Sequence, residues 1–318
     1  MSIKAASSIL ELIGNTPIIK LTRFNTNLSF DLYAKCEMFN PCLSIKDRIV
    51  LSIIQDLEKK KEIKPGSTII EASSGNTGSS LAMIAVILGY KAVITVPAKT
   101  SPEKIITMQA FGAEVIVCPA GLSPDSPEHY TNKAKILSST RPDAVLLGQY
   151  DSQVNVQTHY EQTAHELWEQ MDGKIDCLVT AASSGGTITG VAKFLKEKSD
   201  QIKVIMPDPV GSVFHHYFHH RNLQITPQPY RVEGAGKDKV CSIHNFDLID
   251  DVIQFTDDDA FNAIKRLAQT EGMLAGGSSG GALFVAEQLN VHLARQGKRA
   301  NVVVILADSG FKYLSYSN

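Results

Sequence analysis

Short apolar runs alternate along the chain with longer stretches of helical period, and this alternation leaves few folds open. Residues 32–36, 68–72, 92–96, 115–118, 144–147, 177–181, 204–206 and 302–306 read as strands. Several are apolar almost throughout, as strands covered on both faces of a parallel sheet must be. Between them, residues 81–88, 103–110, 157–170, 191–198 and 260–270 carry a helical period. Strand, helix, strand in succession predicts an α/β fold with right-handed crossovers. No longer repeat recurs, which excludes solenoids and propellers. Residues 207–236 break the pattern with four prolines and with His215, His216, His219 and His220, and read as a long surface excursion.

With 318 residues the chain is long enough for about two domains at ~150 residues each. No Gly/Ser- or Pro-rich linker separates two halves, so the domains are expected to pack closely and exchange chain segments. Lys and Arg number 31 against 33 Asp and Glu, a balance that argues against a nucleic-acid or membrane-surface binder. The five cysteines, Cys36, Cys42, Cys118, Cys177 and Cys241, are scattered and never spaced C-x-x-C, which removes zinc-ribbon and redox readings and points to a reducing cytoplasm. No apolar run reaches the ~18 residues of a membrane span. Glu11 interrupts the N-terminal apolar stretch, so no signal peptide is expected.

Three Gly/Ser/Thr runs each open a helix: Ser73-Ser74-Gly75-Asn76-Thr77-Gly78, Ser183-Ser184-Gly185-Gly186-Thr187 and Gly276-Gly277-Ser278-Ser279-Gly280. Bare backbone, free N–H groups and the positive end of the helix dipole attract anions there. One such run is commonly a turn or a cap. Three in one α/β chain predict a ligand with several anionic or polar groups. Neither a Walker loop nor a strand-linked G-x-G-x-x-G is present. The third run fits G-x-S-x-G, but a helix rather than a strand precedes it and its partners do not follow in hydrolase order.

Lys46 lies in Asn40-Pro41-Cys42-Leu43-Ser44-Ile45-Lys46-Asp47-Arg48. Pro41 breaks the chain and helical spacing resumes at Ile45, so Lys46 falls at a helix start. The positive dipole end there disfavours the ammonium and is expected to lower its pKa, the condition for imine formation. A lone lysine of this kind is ordinarily a solvated surface residue.

Taken in order and spacing, the Lys46 segment and the three loops resemble the fold-type II pyridoxal-phosphate enzymes, and within them the cysteine synthase and cystathionine β-synthase family. Leu12-Ile13-Gly14-Asn15-Thr16-Pro17 matches that family's start and residues 306–314 its end. The resemblance covers nearly the whole chain. It implies two three-layer αβα domains with mostly parallel twisted sheets, like the tryptophan synthase β chain, and pyridoxal 5'-phosphate in the cleft between them. Residues 46–150 would form a smaller, mobile domain, and residues 1–45 with 151–318 a larger one. Lys46 would be the Schiff-base lysine and Asn76 the partner of the cofactor's ring hydroxyl. Ser183, Ser184, Gly185, Gly186 and Thr187 would hold the phosphate, and Ser278 would face the pyridine nitrogen. Ser73, Ser74, Asn76, Thr77 and Gln149 would clamp the substrate carboxylate, with Gly234 at the site's mouth. Cys42-Leu43 and Ser183-Ser184 depart from the pairs usual in the family at those places.

The implied reaction is β-replacement on serine or an O-activated serine through an aminoacrylate. Residues 125–128, 208–212, 232–236 and 276–278 look closer to cystathionine β-synthase, which joins L-serine to L-homocysteine, than to cysteine synthase, which joins O-acetylserine to sulfide. Lys237 departs from the former pattern. A homodimer with small amino-acid and thiol substrates, no metal, no regulatory module and no haem extension is implied. A catalytically silent paralogue acting as a binding or regulatory partner is the reading from another class, and the intact Lys46, Asn76 and Ser278 count against it. The four histidines have zinc-compatible i,i+4 spacing but no supporting ligands, and read as a solvated stretch. Cys42, Tyr160, His159 and Trp168 read as packing residues, and Asp47 as a stabiliser of its helix start.

Overall fold

A computed structural model describes residues 5–73, 75–98, 100–123, 125–295 and 300–316. Two compact units emerge. The first comprises Met1–Ile13, Asn40–Gln149 and Lys312–Asn318, and the second Gly14–Phe39 and Tyr150–Phe311. The division expected from sequence ran at 46 and 150. Here the N-terminal segment to Ile13, the turn before Lys46 and the C-terminal segment group with Lys46 instead.

The second unit holds strands β1 (Ile18–Lys20) and β2 (Asp31–Cys36), and the first holds helix α1 (Lys46–Lys59), β3 (Thr68–Ala72), α2 (Asn76–Leu88), β4 (Lys91–Pro97), α3 (Pro102–Ala110), β5 (Glu114–Cys118), α4 (Tyr130–Thr140) and β6 (Ala144–Leu146). The chain then returns to the second unit with α5 (Gln153–Thr158), α6 (Ala164–Gln170), β7 (Cys177–Val179), α7 (Gly186–Lys198), β8 (Lys203–Pro209), α8 (Phe214–His220), β9 (Asp251–Phe255), α9 (Asp257–Glu271), α10 (Gly277–Arg295) and β10 (Asn301–Leu306).

In the first unit a four-stranded sheet of order β5-β4-β3-β6 is parallel throughout. Ile69 and Ile70 of β3 are buried, as is α2 from Thr77 to Ala85, so this helix packs on more than one side. The C-terminal segment is tied in by the Ser101 hydroxyl, which donates to the Lys312 carbonyl at 2.9 Å, and by Glu103, which accepts the Ser315 N–H at 2.7 Å.

In the second unit the order is β1-β2-β10-β7-β8-β9, with only β1 antiparallel. Val302 of β10 stands opposite both Leu32 and Cys177, so segments from opposite ends of the chain share one sheet. The Gly14-Asn15-Thr16-Pro17 opening is anchored by a partly buried network centred on Lys35. Lys35 Nζ donates to the Thr16 carbonyl at 2.8 Å and to Glu166 at 2.7 Å, Glu166 accepts the Asn15 N–H at 3.0 Å, and the Thr16 hydroxyl donates to Glu37 at 2.6 Å.

Three sequence expectations need correction. The single helix expected over 157–170 is α5, a five-residue π-helical segment His159–Thr163, and α6. The strand expected to stop at Met206 runs on through Pro207 to Pro209. Past Ile205, β8 is paired only with β9, so prolines there remove no hydrogen bond on the β7 side. The supposed irregular excursion also contains α8, and strands β1 and β9 were not foreseen. Among the described residues no helix is long and apolar enough to cross a membrane.

Candidate active site

In the first unit, Lys46 is the first residue of α1 and half-buried, and its N–H donates to the Ser44 hydroxyl at 3.3 Å. Leu43, just before it, has φ +58°, a conformation disfavoured for a branched side chain. Asp47 is fully buried. Its carboxylate accepts the Cys42 N–H at 2.6 Å and the Ser80 hydroxyl at 2.5 Å. It therefore fixes the turn before Lys46 and ties the start of α1 to α2, which begins at Asn76. That is more than the helix-start role read from sequence.

The Ser73 hydroxyl accepts the N–H groups of Gly75 at 3.0 Å and Gly78 at 3.1 Å, so it shapes its own loop. Gly75 has φ +143°, and a Cβ there would lie 2.1 Å from Cδ of buried Lys104. Only glycine fits. The Thr77 hydroxyl donates to Gln149 Oε1 at 2.7 Å, and Gln149 Nε2 donates to buried Glu71 at 3.0 Å, a chain that holds the Gln149 amide in one orientation. Ser73, Thr77 and Gln149 are thus assembled around the start of α2. Ser74 lies outside the described residues.

In the second unit the 183–187 run opens α7. Gly185 has φ +95° and Thr189 is the first residue to close back, donating to the Gly185 carbonyl at 3.0 Å. Among the described residues the N–H groups of Gly186, Thr187 and Ile188 are therefore the unpaired donors of a helix start. A Cβ on Gly186 would lie 1.9 Å from Oδ1 of Asn155, and Asn155 Nδ2 donates to the Ser184 hydroxyl at 3.3 Å. Behind the loop, the π-helical turn presents fully buried His159, whose Nε2 lies 3.1 Å from the Thr187 hydroxyl and whose Nδ1 lies 2.9 Å from Thr163. Bare glycine backbone, three N–H groups and two hydroxyls on a rigid base suit a phosphate-sized anion. Ser278 is buried near the start of α10, and a Cβ on Gly234 would lie 3.4 Å from its hydroxyl, so these two expected residues also meet. Gly236 N–H donates to the Ala182 carbonyl at 2.7 Å and holds residues 232–236 against the loop.

Sequence reasoning passed over Asn155 and His244 and took His159 for packing alone. Their signal is absent from any local pattern, since each meets the loop from elsewhere in the chain. All five cysteines are buried and free. Burial pushes the Cys36, Cys42 and Cys177 thiols up to about 12, which makes Cys42 an inert packing residue, as expected. On α8 the histidine rings pair as His215–His219 and His216–His220. Among the described residues no group of three or more His, Cys, Asp or Glu side chains could hold a metal.

The family pattern described as "Pyridoxal-phosphate dependent enzyme" matches residues 9–308. The chain is 42% identical to a cystathionine β-synthase of Apis mellifera over 98% of its own length and 61% of that protein's. For the Rattus norvegicus cystathionine β-synthase the figures are 42%, 98% and 55%. It thus spans little more than half the length of these relatives. Against an O-acetylserine dependent cystathionine β-synthase of Bacillus subtilis it is 37% identical, over 97% of this chain and 96% of that one. Among solved structures, an O-ureido-L-serine synthase superposes with a TM-score of 0.89 at 30% identity, covering 98% of this chain and 94% of the other. A hydrogen sulfide-producing enzyme from Fusobacterium nucleatum superposes at 0.87 and 34%, covering 98% and 100%. With a lysine at a helix start, an anion loop of the right chemistry and a match across both units, the chain belongs to the fold-type II family of pyridoxal-phosphate dependent enzymes.

Proposed function

We propose that this protein catalyses β-replacement on L-serine or an O-activated serine, with L-homocysteine as the thiol and L-cystathionine as the product, as a cytoplasmic homodimer. The observation that carries this reading is the likeness to the Bacillus subtilis protein, which runs nearly end to end in both chains. That relative's name also favours O-acetylserine as the activated serine. Cysteine formation from O-acetylserine and sulfide is the second reading, supported by structural neighbours named for O-ureido-L-serine and for hydrogen sulfide.

Bound pyridoxal phosphate supplies an electron sink that acidifies the substrate's α-carbon and lets its β-substituent depart. Lys46 would hold the cofactor at rest; once the substrate's amine takes its place, the freed Lys46 amine takes the α-proton and returns it to the departing oxygen. The helix-start N–H groups of residues 183–187, with the hydroxyls of Ser183, Ser184 and Thr187, hold the phosphate. The Asn76 amide meets the ring hydroxyl. Ser278 faces the ring nitrogen, where a neutral hydroxyl, unlike a carboxylate, does not hold the nitrogen protonated. The sink is then mild and suits elimination over reactions needing a long-lived carbanion. Ser73, Ser74, Asn76, Thr77 and Gln149 hold the substrate carboxylate, with Gln149 oriented by Glu71. Gly234 leaves room beside Ser278 for the substrate.

The test begins with purified protein and pyridoxal phosphate. The protein should turn yellow and bleach with borohydride, which fixes the cofactor to Lys46, and Lys46→Ala should lose that attachment. Product masses are then recorded for serine with homocysteine, O-acetylserine with homocysteine, and O-acetylserine with sulfide. Cystathionine from the first or second pair at the highest rate supports the proposal, and faster cysteine formation from the third overturns the product assignment. A protein that stays colourless overturns the enzymatic reading altogether.

A further inference from the structure

His244 belongs to no motif, yet its ring lies against the loop that opens α7. A Cβ on Gly185 would lie 2.6 Å from His244 Cδ2 and 2.8 Å from Nε2, so the imidazole edge abuts the loop's turning residue. The ring is held from three sides. Phe214 packs at 4.8 Å between centroids, Phe246 stacks at 5.7 Å, and the Cys241–His244 turn closes on the ring itself.

That turn sets the tautomer. The Cys241 carbonyl already accepts the His244 backbone N–H at 3.1 Å, whereas the Cys241 N–H has no acceptor among the described residues except His244 Nδ1, at 3.1 Å. A proton on Nδ1 could donate to the same carbonyl at 3.2 Å, but it would orphan the buried Cys241 N–H. The proton therefore sits on Nε2. That atom is buried and has no hydrogen-bond partner among the described residues. Burial pushes the ring's pKa down to about 4. The nearby Lys237 ammonium lowers it further, so the ring is neutral at physiological pH.

We propose that His244 is a further cofactor-binding residue, a neutral side chain whose Nε2–H donates to the pyridoxal phosphate's phosphate group at the 183–187 loop. This rests on the functional reading above, in which that loop holds the phosphate. A neutral donor suits the place: it adds a hydrogen bond to a dianion without adding a buried cation, and Phe214, Phe246 and Cys241 preorganise it.

The test compares the wild-type enzyme, His244→Leu and His244→Gln after removal and return of pyridoxal phosphate. Cofactor affinity is read by titration, and the environment of the bound phosphate by its phosphorus NMR shift. Losing a hydrogen bond to a charged group should weaken cofactor binding about 10- to 100-fold in the Leu variant and move the phosphorus resonance. The Gln variant, whose amide can place an N–H where Nε2 stood, should recover most of the affinity. Nitrogen NMR of the wild-type ring, which needs no substitution to fold, should show Nε2 protonated at neutral pH and its proton shifting when the cofactor is added. A Leu variant with wild-type affinity and phosphorus shift overturns the assignment alone, as does a ring protonated on Nδ1 in the cofactor-bound enzyme. Wild-type protein that takes up no pyridoxal phosphate overturns both this assignment and the functional reading beneath it.

Discussion

Gly186→Ala tests whether the loop that opens α7 is built on Asn155. The added Cβ would meet Asn155 Oδ1 at 1.9 Å, Cγ at 2.3 Å and Nδ2 at 2.9 Å. Asn155 is 1% exposed and its amide is engaged with Ser184, so it has no open space to swing into. Either the helix start shifts outward, an overpacking cost of about 1–3 kcal/mol, or the amide is driven from its partners, about 1–3 kcal/mol for buried polar groups left unsatisfied. Alanine gains about 0.4–1 kcal/mol over glycine through the unfolded chain, because the native φ here is not positive. The net expectation is a loss of about 1–2 kcal/mol, or a fall in Tm of roughly 1.5–3 °C for a protein of 318 residues unfolding as a whole. Urea denaturation of cofactor-free protein reads the stability, and binding of inorganic phosphate reads the loop. Asn155→Ala removes all three clashing atoms, so the double variant should regain the loss assigned to the clash. If Gly186→Ala matches wild type in both assays, or the double variant is no better than the sum of the singles, Asn155 is not wedged beneath the loop.

Two further perturbations test the second unit. Burial pushes Asp208 up to about 6, against the hydrogen bonds from Ser212 and the His215 N–H that favour its charged form. The native state therefore keeps a proton that the unfolded chain, with a pKa near ~3.9, has released. Stability present below about pH 4 is lost as pH rises through about 6, by about 3 kcal/mol in all. Asp208→Asn should be more stable than wild type at about pH 7.5 and nearly equal at about pH 3.5 in urea denaturation; a pH-independent difference would contradict the buried-carboxyl account. Lys35→Met removes a fully buried ammonium from the Thr16 carbonyl, Glu166 and Gln170. Glu166 is partly exposed, so the loss should lie near the lower end of the range for a broken buried pair, about 3 kcal/mol. Adding Glu166→Gln should recover part of it, and an unchanged denaturation midpoint would show that the network does not anchor the N-terminal segment.

The strands most legible in the sequence are those whose residues are apolar almost throughout, β3, β4, β7 and β10, because burial on both faces leaves no polar alternation to confuse the reading. Strand β9 escaped because, as an edge strand, it mixes buried Val252 and Phe255 with half-buried Asp251 and Ile253 and exposed Gln254, and so carries neither a continuous apolar run nor a clean alternation. The extension of β8 escaped because proline argues against strand until the pairing is known. The π-helical turn at His159–Thr163 was invisible, since one extra residue in a turn hardly disturbs a helical period over fourteen residues. The loops were legible down to single residues: Gly75 and Gly185 sit at positive φ where the glycine-rich runs called for bare backbone. Leu43 shows the opposite case, a bulky side chain accepted at φ +58° that composition alone would not place there.

By itself the sequence determined what depends on neighbours along the chain. Periodicity sets strand and helix, glycine and hydroxyl runs set anion-attracting helix starts, and the order of motifs sets the family. Tertiary structure alone decided which distant segments meet. It put β2 and β7 on either side of β10, tied the start of α1 to α2 through Asp47 and Ser80, and brought Asn155, His159 and His244 to a loop up to sixty residues away. The physical reason is the range of the forces involved. Backbone conformation answers to adjacent residues, whereas a buried imidazole or amide finds its partner only after the chain has packed.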